Sequence, residues 1–157
     1  MFFVPIKYKI SLAYILNIET ATKNCSVALA NEGEIILCKE ISDEGYSHAE
    51  RLHVFIEECI QEAGISFQDL VAIAVSQGPG SYTGLRIGVS AAKGLCFALG
   101  IPLIAVDTLQ SLASQANVSD GLIVPMLDAR RMEVYSAVFN SKLEKQRQPH
   151  KNSPTPQ

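Results

Sequence analysis

The residues with the clearest chemical potential lie in residues 76–100, SQGPGSYTGLRIGVSAAKGLCFALG. Gly78, Pro79 and Gly80 predict a tight turn after the apolar run at residues 70–75, because glycine admits backbone angles closed to other residues and proline fixes its own φ. Ser81 or Thr83 is placed to cap a helix that runs to about Leu99. A strand end, a glycine turn and a helix N-terminus leave backbone N–H groups pointing one way. Gly78, Gly80, Ser81 and Thr83 are therefore a candidate anion-binding turn. The same turn also serves simply to join a strand to a helix.

Other side chains suggest other chemistries. Ser81 and His48 could act as nucleophile and base, with Asp107 or Asp128 as the orienting acid, in a hydrolase. Nothing in the sequence brings them together, and a serine in a glycine turn or a histidine at a helix start is usually structural. His48 and His53 stand five residues apart, so they do not share a helix face as a metal pair must. No metal is expected. Cys25, Cys38, Cys59 and Cys96 form no CxxC pair and are dispersed, which fits a reducing cytosol better than a disulfide frame. Cys96 lies in an apolar helix and reads as an inert core thiol.

The helix at residues 84–99 is less ordinary than the turn before it. Only Arg86 and Lys93 are charged there. A helix that covers one face of a sheet keeps a polar outer side; this one has almost none, so something must cover it. Gly84, Gly88 and Ala92, spaced by four, predict close approach of another helix, since three glycines cannot be explained by helix propensity. The cover is either the chain's own helices or a partner. The partner reading takes His48, Arg51, Leu52 and Phe55 from one helix, with Gly84, Arg86, Ile87, Gly88, Ala91, Ala92 and Leu95 from the other.

These pieces need a scaffold. A chain of 157 residues, 48% apolar, suggests one domain, or one domain and a fragment. A net charge of −3 argues against a general nucleic-acid surface. No apolar run is long enough to span a bilayer, and the start lacks the leading basic region and small-residue cleavage site of a signal peptide. A cytoplasmic protein with no membrane contact is the expectation. The pattern predicts strands at 14–18, 25–30 and 34–40, joined at Asn31-Glu32-Gly33 by a hairpin. A helix follows at 48–63, where Leu52, Phe55, Ile56, Cys59, Ile60 and Ala63 recur at helical spacing. Strands at 70–75 and 101–106 flank the second helix. A short helix at 109–117 and strands at 122–127 and 133–139 come last.

Three meandering strands, then helix, strand, helix, strand, predict a mixed five-stranded α/β sheet of the ribonuclease H-like or actin-like (ASKHA) kind, with both long helices on one face. Residues 1–12 read as an apolar N-terminal extension, 13–108 as the actin-like domain, and 109–139 as the beginning of an incomplete second, similar domain. Residues 140–157, with one aliphatic side chain and three prolines, are expected to be a disordered tail.

ILNIETATKNCSVAL, QGPGSYTGLRIGVSAAKGL, IPLIAVDTLQSLA and DARRMEVY follow one another in the order and spacing of the TsaB (YeaZ) family, which the chain resembles from about Tyr14 to Phe139. The resemblance implies an accessory subunit without catalytic activity of its own. Such subunits scaffold and activate a TsaD threonylcarbamoyltransferase, together with a TsaE-like ATPase, in threonylcarbamoyladenosine modification of tRNA. It implies a helix-on-helix contact with TsaD, a homodimer when TsaD is absent, and only indirect contact with tRNA. His48 and Glu50 match the family's His-x-Glu at the start of the first helix. Two departures bear on nucleotide binding. The family's first-strand Asp is Glu19 here, and Thr20-Ala21-Thr22-Lys23 supplies no glycine for a phosphate hairpin. The chain alone is therefore expected to bind ATP weakly or not at all. The second reading is an actin-like nucleotide-binding ATPase or a glycoprotease-like hydrolase.

Overall fold

The structure is a computed structural model that describes residues 13–42 and 48–152. The extension at residues 1–12 and the last five residues of the expected tail lie outside the described residues. Strands β1 (Tyr14–Glu19), β2 (Cys25–Asn31), β3 (Glu34–Ile41), β4 (Leu70–Gly78) and β5 (Leu103–Asp107) form one sheet in the order β3-β2-β1-β4-β5. β1–β2 and β2–β3 are antiparallel, and β1–β4 and β4–β5 are parallel. The mixed five-stranded sheet expected from the sequence is the one observed.

Period-2 alternation decides which side chains face the helices. Leu16 and Ile18, Cys25, Val27 and Leu29, and Ile73 and Val75 point to one face, where they form a single core with Leu52, Phe55, Ile56, Cys59 and Ile60 of α1 (His48–Glu62) and Ala92 and Cys96 of α2 (Tyr82–Leu99). Both helices therefore lie on the same face, as the two right-handed crossovers require. Helix α2 starts at Ser81, whose Oγ accepts the Gly84 N–H at 3.3 Å, and stops at Gly100, whose φ of 67° is left-handed. Leu52 is fully buried and packs where α1 crosses the sheet. Leu52→Ala should lower stability by about 2–5 kcal/mol in a urea titration; a loss under about 1 kcal/mol would mean this core is loosely packed.

Helix α3 (Thr108–Ser114) is shorter than the expected 109–117. Its N-cap is Asp107, whose Oδ1 accepts from Leu109 N at 2.9 Å and Gln110 N at 3.0 Å. The single strand expected at 122–127 is two: β6 (Leu122–Ile123) and β7 (Met126–Asp128). Val124 and Pro125 separate them, and a proline has no N–H for the ladder. Both pair with β8 (Val134–Asn140). Leu109 and Ala113 of α3 meet Ala137 and Phe139 of β8 in a second, small core.

The expectation of a disordered tail from residue 140 is corrected. A turn at Asn140, whose Oδ1 accepts from Lys142 N and Glu144 N, leads into β9 (Lys145–Asn152), antiparallel to β8. Composition misled because this strand buries little of its own. It is held by main-chain bonds to the second edge of β8, and by Lys145, whose Nζ lies 2.6 Å from Asp107 Oδ2 and 5.6 Å from the Phe139 ring centroid. The Lys145 ammonium and two backbone N–H donors outweigh burial and hold the Asp107 carboxyl below the usual carboxylate range. The folded-state value is depressed, so the contribution to stability is present above pH 3.8, the ordinary carboxylate value, and is lost as pH falls through the lower folded value. Lys145→Met should lose stability at neutral pH and show a smaller acid-dependent loss below pH 3.8 than the parent. Parallel acid titrations of the two proteins would contradict the assignment.

Candidate docking groove

The two sites suggested by the glycines turn out to be one packed contact inside the chain. Helix α2 buries Gly84, Gly88, Ala92 and Cys96 as a stripe spaced by four. This stripe lies on the chain's own β1–β2 turn, not on a surface. Thr20 is fully buried, and its Oγ1 donates to the Gly84 carbonyl oxygen at 2.8 Å. A Cβ on Gly84 would collide with the Thr20 carbonyl oxygen, and one on Gly88 with Thr20 Oγ1. Assignment of Gly84, Gly88 and Ala92 to a partner contact is therefore corrected: their smallness serves the chain's own hairpin. Leu52, fully buried, and Phe55, 8% exposed, likewise belong to the core.

The candidate anion turn is filled in the same way. Ser81 N donates to the Ala21 carbonyl at 2.6 Å, and the Gly84 N–H is taken by Ser81 Oγ. A Cβ on Gly80 would collide with Ala21. The space an anion would need beside Gly80 and Ser81 is held by Ala21. Gly78, at φ 108°, keeps the turn tight, and Thr83 faces outward. Glu19 closes the hairpin rather than a phosphate site: one carboxylate oxygen accepts the Ala21 N–H at 2.5 Å and the other the Ser76 hydroxyl. The hydrolase residues are also spent locally. Asp107 caps α3 and pairs with Lys145, Asp128 Oδ1 accepts from Arg130 N at 2.7 Å, and Ser81 caps α2. His48 opens α1. Burial pushes the Cys25, Cys59 and Cys96 thiols up, away from the reactive thiolate.

What remains open is the crown of the two helices. Arg86, Ile87, Ala91 and Leu95 of α2 line a groove of about 680 Å³ together with His53 of α1 and with Thr83, Ser90 and Gly94. Helical spacing of three and four puts these α2 residues on adjoining rows. Beside the groove Phe97 is 93% exposed and Tyr82 75% exposed, with the Arg86 guanidinium 5.5 Å from the Tyr82 ring centroid. Arg51 lies over the Phe55 ring at 5.7 Å. The groove's walls are chiefly apolar or small, and its few polar groups, His53, Thr83, Arg86 and Ser90, sit on the rim side of the helices. This shape suits the side chains of another helix, not a charged reactant. Among the described residues no group of three or more His, Cys, Asp or Glu side chains could hold a metal ion. The sequence reading missed His53, Ser90, Gly94 and Phe97. The signal was present: residues 86, 90, 94 and 97 recur at helical spacing opposite the buried stripe.

Sheet order, crossovers and a blocked hairpin define a ribonuclease H-like, actin-like domain. Comparison with known proteins narrows this class. Residues 42–150 match the TsaD family, tRNA N6-adenosine threonylcarbamoyltransferase. The chain is 38% identical over 128 residues to the tRNA threonylcarbamoyladenosine biosynthesis protein TsaB of Bacillus subtilis, covering 82% of this chain and 56% of that protein. It is 38% identical over 127 residues to the Escherichia coli protein of the same name, covering 80% and 54%. A crystal structure of a Pseudomonas aeruginosa protein with similarity to peptidase YEAZ superposes with a TM-score of 0.79 at 33% identity, over 90% of this chain and 67% of that one. The chain belongs to the TsaB (YeaZ) family. It spans about half the length of these TsaB relatives. No helix among the described residues is long and apolar enough to cross a membrane.

Proposed function

We propose that this chain is an accessory subunit in tRNA threonylcarbamoyladenosine biosynthesis, which docks a TsaD-like protein on the α1–α2 crown and has no catalytic activity alone. The observation that carries this reading is Phe97, an aromatic side chain 93% exposed beside an apolar groove. An isolated exposed aromatic next to a pocket is the usual anatomy of a binding hot spot, and water is a poor final neighbour for both. The relatives' names supply the pathway. The docking surface is His53, Thr83, Arg86, Ile87, Ser90, Ala91, Gly94, Leu95 and Phe97, with Arg51 and His48 at its margin. A TsaE-like ATPase joins through the assembled complex, tRNA is met only through TsaD, and the setting is the cytoplasm. A second copy of the chain takes the same surface when TsaD is absent, because a patch carrying both an aromatic knob and a groove can be self-complementary.

The test is affinity for a TsaD-like protein by calorimetry, with Phe97→Ala as the variant. Removing a hot-spot aromatic costs about 2 kcal/mol or more, so the dissociation constant should rise at least about 30-fold. The thermal midpoint should not move, since the side chain touches almost nothing in the chain. Unchanged affinity would remove Phe97 from the contact and with it the main support for this surface. The nucleotide-binding ATPase reading has no comparable support, because the hairpin that would cradle phosphates is packed against α2.

A further inference from the structure

The sheet has a second open surface, on the side away from α1 and α2. Register defines it. Ile35, Ala30, Ile15 and Ala72 stand side by side across β3, β2, β1 and β4. Cys38, Ala28, Asn17, Ala74 and Ile104 form the next row. Alternation turns both rows away from the core of Leu16, Val27, Leu29 and Ile73. Helix α3 packs against β4 and β5, and Ala72 and Ala74 are buried. Over β2 and β3 the rows are open: Ile35 is 67% exposed, Cys38 is exposed, and Ala28 and Ala30 are half-buried. Small and branched apolar side chains make this face a poor one to leave in water.

We propose that residues 1–12 of this same chain cover the open face of β1, β2 and β3. Three observations choose this occupant. The segment enters β1 at Tyr14, which pairs with Asn31, so it is tethered beside the Ile15–Ala30–Ile35 row. Twelve residues reach at most about 40 Å, whereas three strands span only about 15 Å. Its side chains complement the face: Phe2, Phe3, Val4, Ile6, Ile10 and Leu12 are apolar, and Lys7 and Lys9 match the exposed carboxylates of Glu34 and Glu40 at the β3 rim. This contact is separate from the α1–α2 crown and does not depend on the role proposed for it.

Cys38 is a built-in reporter, because it lies in the second row while Cys25, Cys59 and Cys96 are buried. The rate of its alkylation by iodoacetamide, read by mass spectrometry of the peptide, is measured in the full chain and in the full-length variant Ile6→Asp/Ile10→Asp. Cys38→Ser identifies the signal. If the segment covers the face, Cys38 reacts at least about tenfold faster in the variant than in the parent, at every protein concentration. Equal rates in parent and variant would overturn the proposal. So would protection that vanishes on dilution together with a dimeric elution volume, since a second copy would then be the cover. Should the variant lose its thermal transition, the parent is compared with its own guanidinium-unfolded form. A parent rate within about threefold of the unfolded rate overturns the proposal, and concentration-independent protection of about tenfold or more supports it.

Discussion

Gly84→Ala will destabilise this chain by about 3 kcal/mol or more, a drop of roughly 10 °C in the thermal midpoint for a chain of this size. One methyl group does this because of where it must stand. The Gly84 α-carbon rests against the Thr20 carbonyl, and a Cβ there would collide with backbone, which has no rotamer to move into. Separating α2 from the hairpin also strains the bond from Thr20 Oγ1 to the Gly84 carbonyl and leaves a fully buried hydroxyl unpaired. Helix propensity pulls the other way, since alanine is favoured over glycine by about 1 kcal/mol in a helix interior. The collision wins because overpacking and an orphaned hydroxyl act together. Gly88→Ala should cost less, as its Cβ would meet the Thr20 side chain, which can turn. A Gly84→Ala protein that melts within about 2 °C of the parent would show that the approach of α2 to Thr20 is not tight.

The same glycines show how far the sequence could be read. Their spacing on α2 correctly announced a close approach, and the approach is real. Spacing alone cannot say what approaches: a partner helix and the chain's own hairpin demand the same missing Cβ. The sheet was legible because its strands carry their own turn signals, such as Asn31-Glu32-Gly33, and because the run at residues 70–75 is continuous enough to be central. Strand β9 was not legible. Its sequence, KQRQPHKN, is polar and contains Pro149, and its order comes from an edge of β8 and an ion pair to Asp107, 38 residues back along the chain. Composition reports what a segment can bury, not what it can be paired with. The groove was half-legible. Arg86, Ile87, Ala91 and Leu95 were recognised because they are apolar or charged on an unusual helix, whereas Gly94 was passed over as one more small residue. Phe97 was passed over because an aromatic in an apolar helix is expected to point inward.

Gly94 supplies the sharpest test of the docking surface, because it is the counterpart of Gly84 on the same helix. It is exposed, lines the groove, and a Cβ added to it would have nothing within 4 Å. Its φ is not left-handed, so a larger residue meets no backbone strain. Gly94→Ala should therefore raise stability by about 0.5–1 kcal/mol through helix propensity alone. Gly94→Arg should keep the fold for the same reason. Its side chain would project over the groove bounded by Ile87, Ala91 and Leu95, beside the existing charges of Arg86 and Lys93. A partner helix seated there would bury an unpaired cation or be held away from the groove floor. Either cost is about 3 kcal/mol, or roughly two decades in affinity for a TsaD-like protein. The measurement pairs a thermal midpoint with a binding isotherm on one preparation. A Gly94→Arg protein that melts no lower than the parent yet binds at least 100-fold more weakly, in line with those two decades, places the contact on the groove. If it melts as the parent does and binds as tightly, the partner does not sit on this crown, and the exposed Phe97 must be explained some other way.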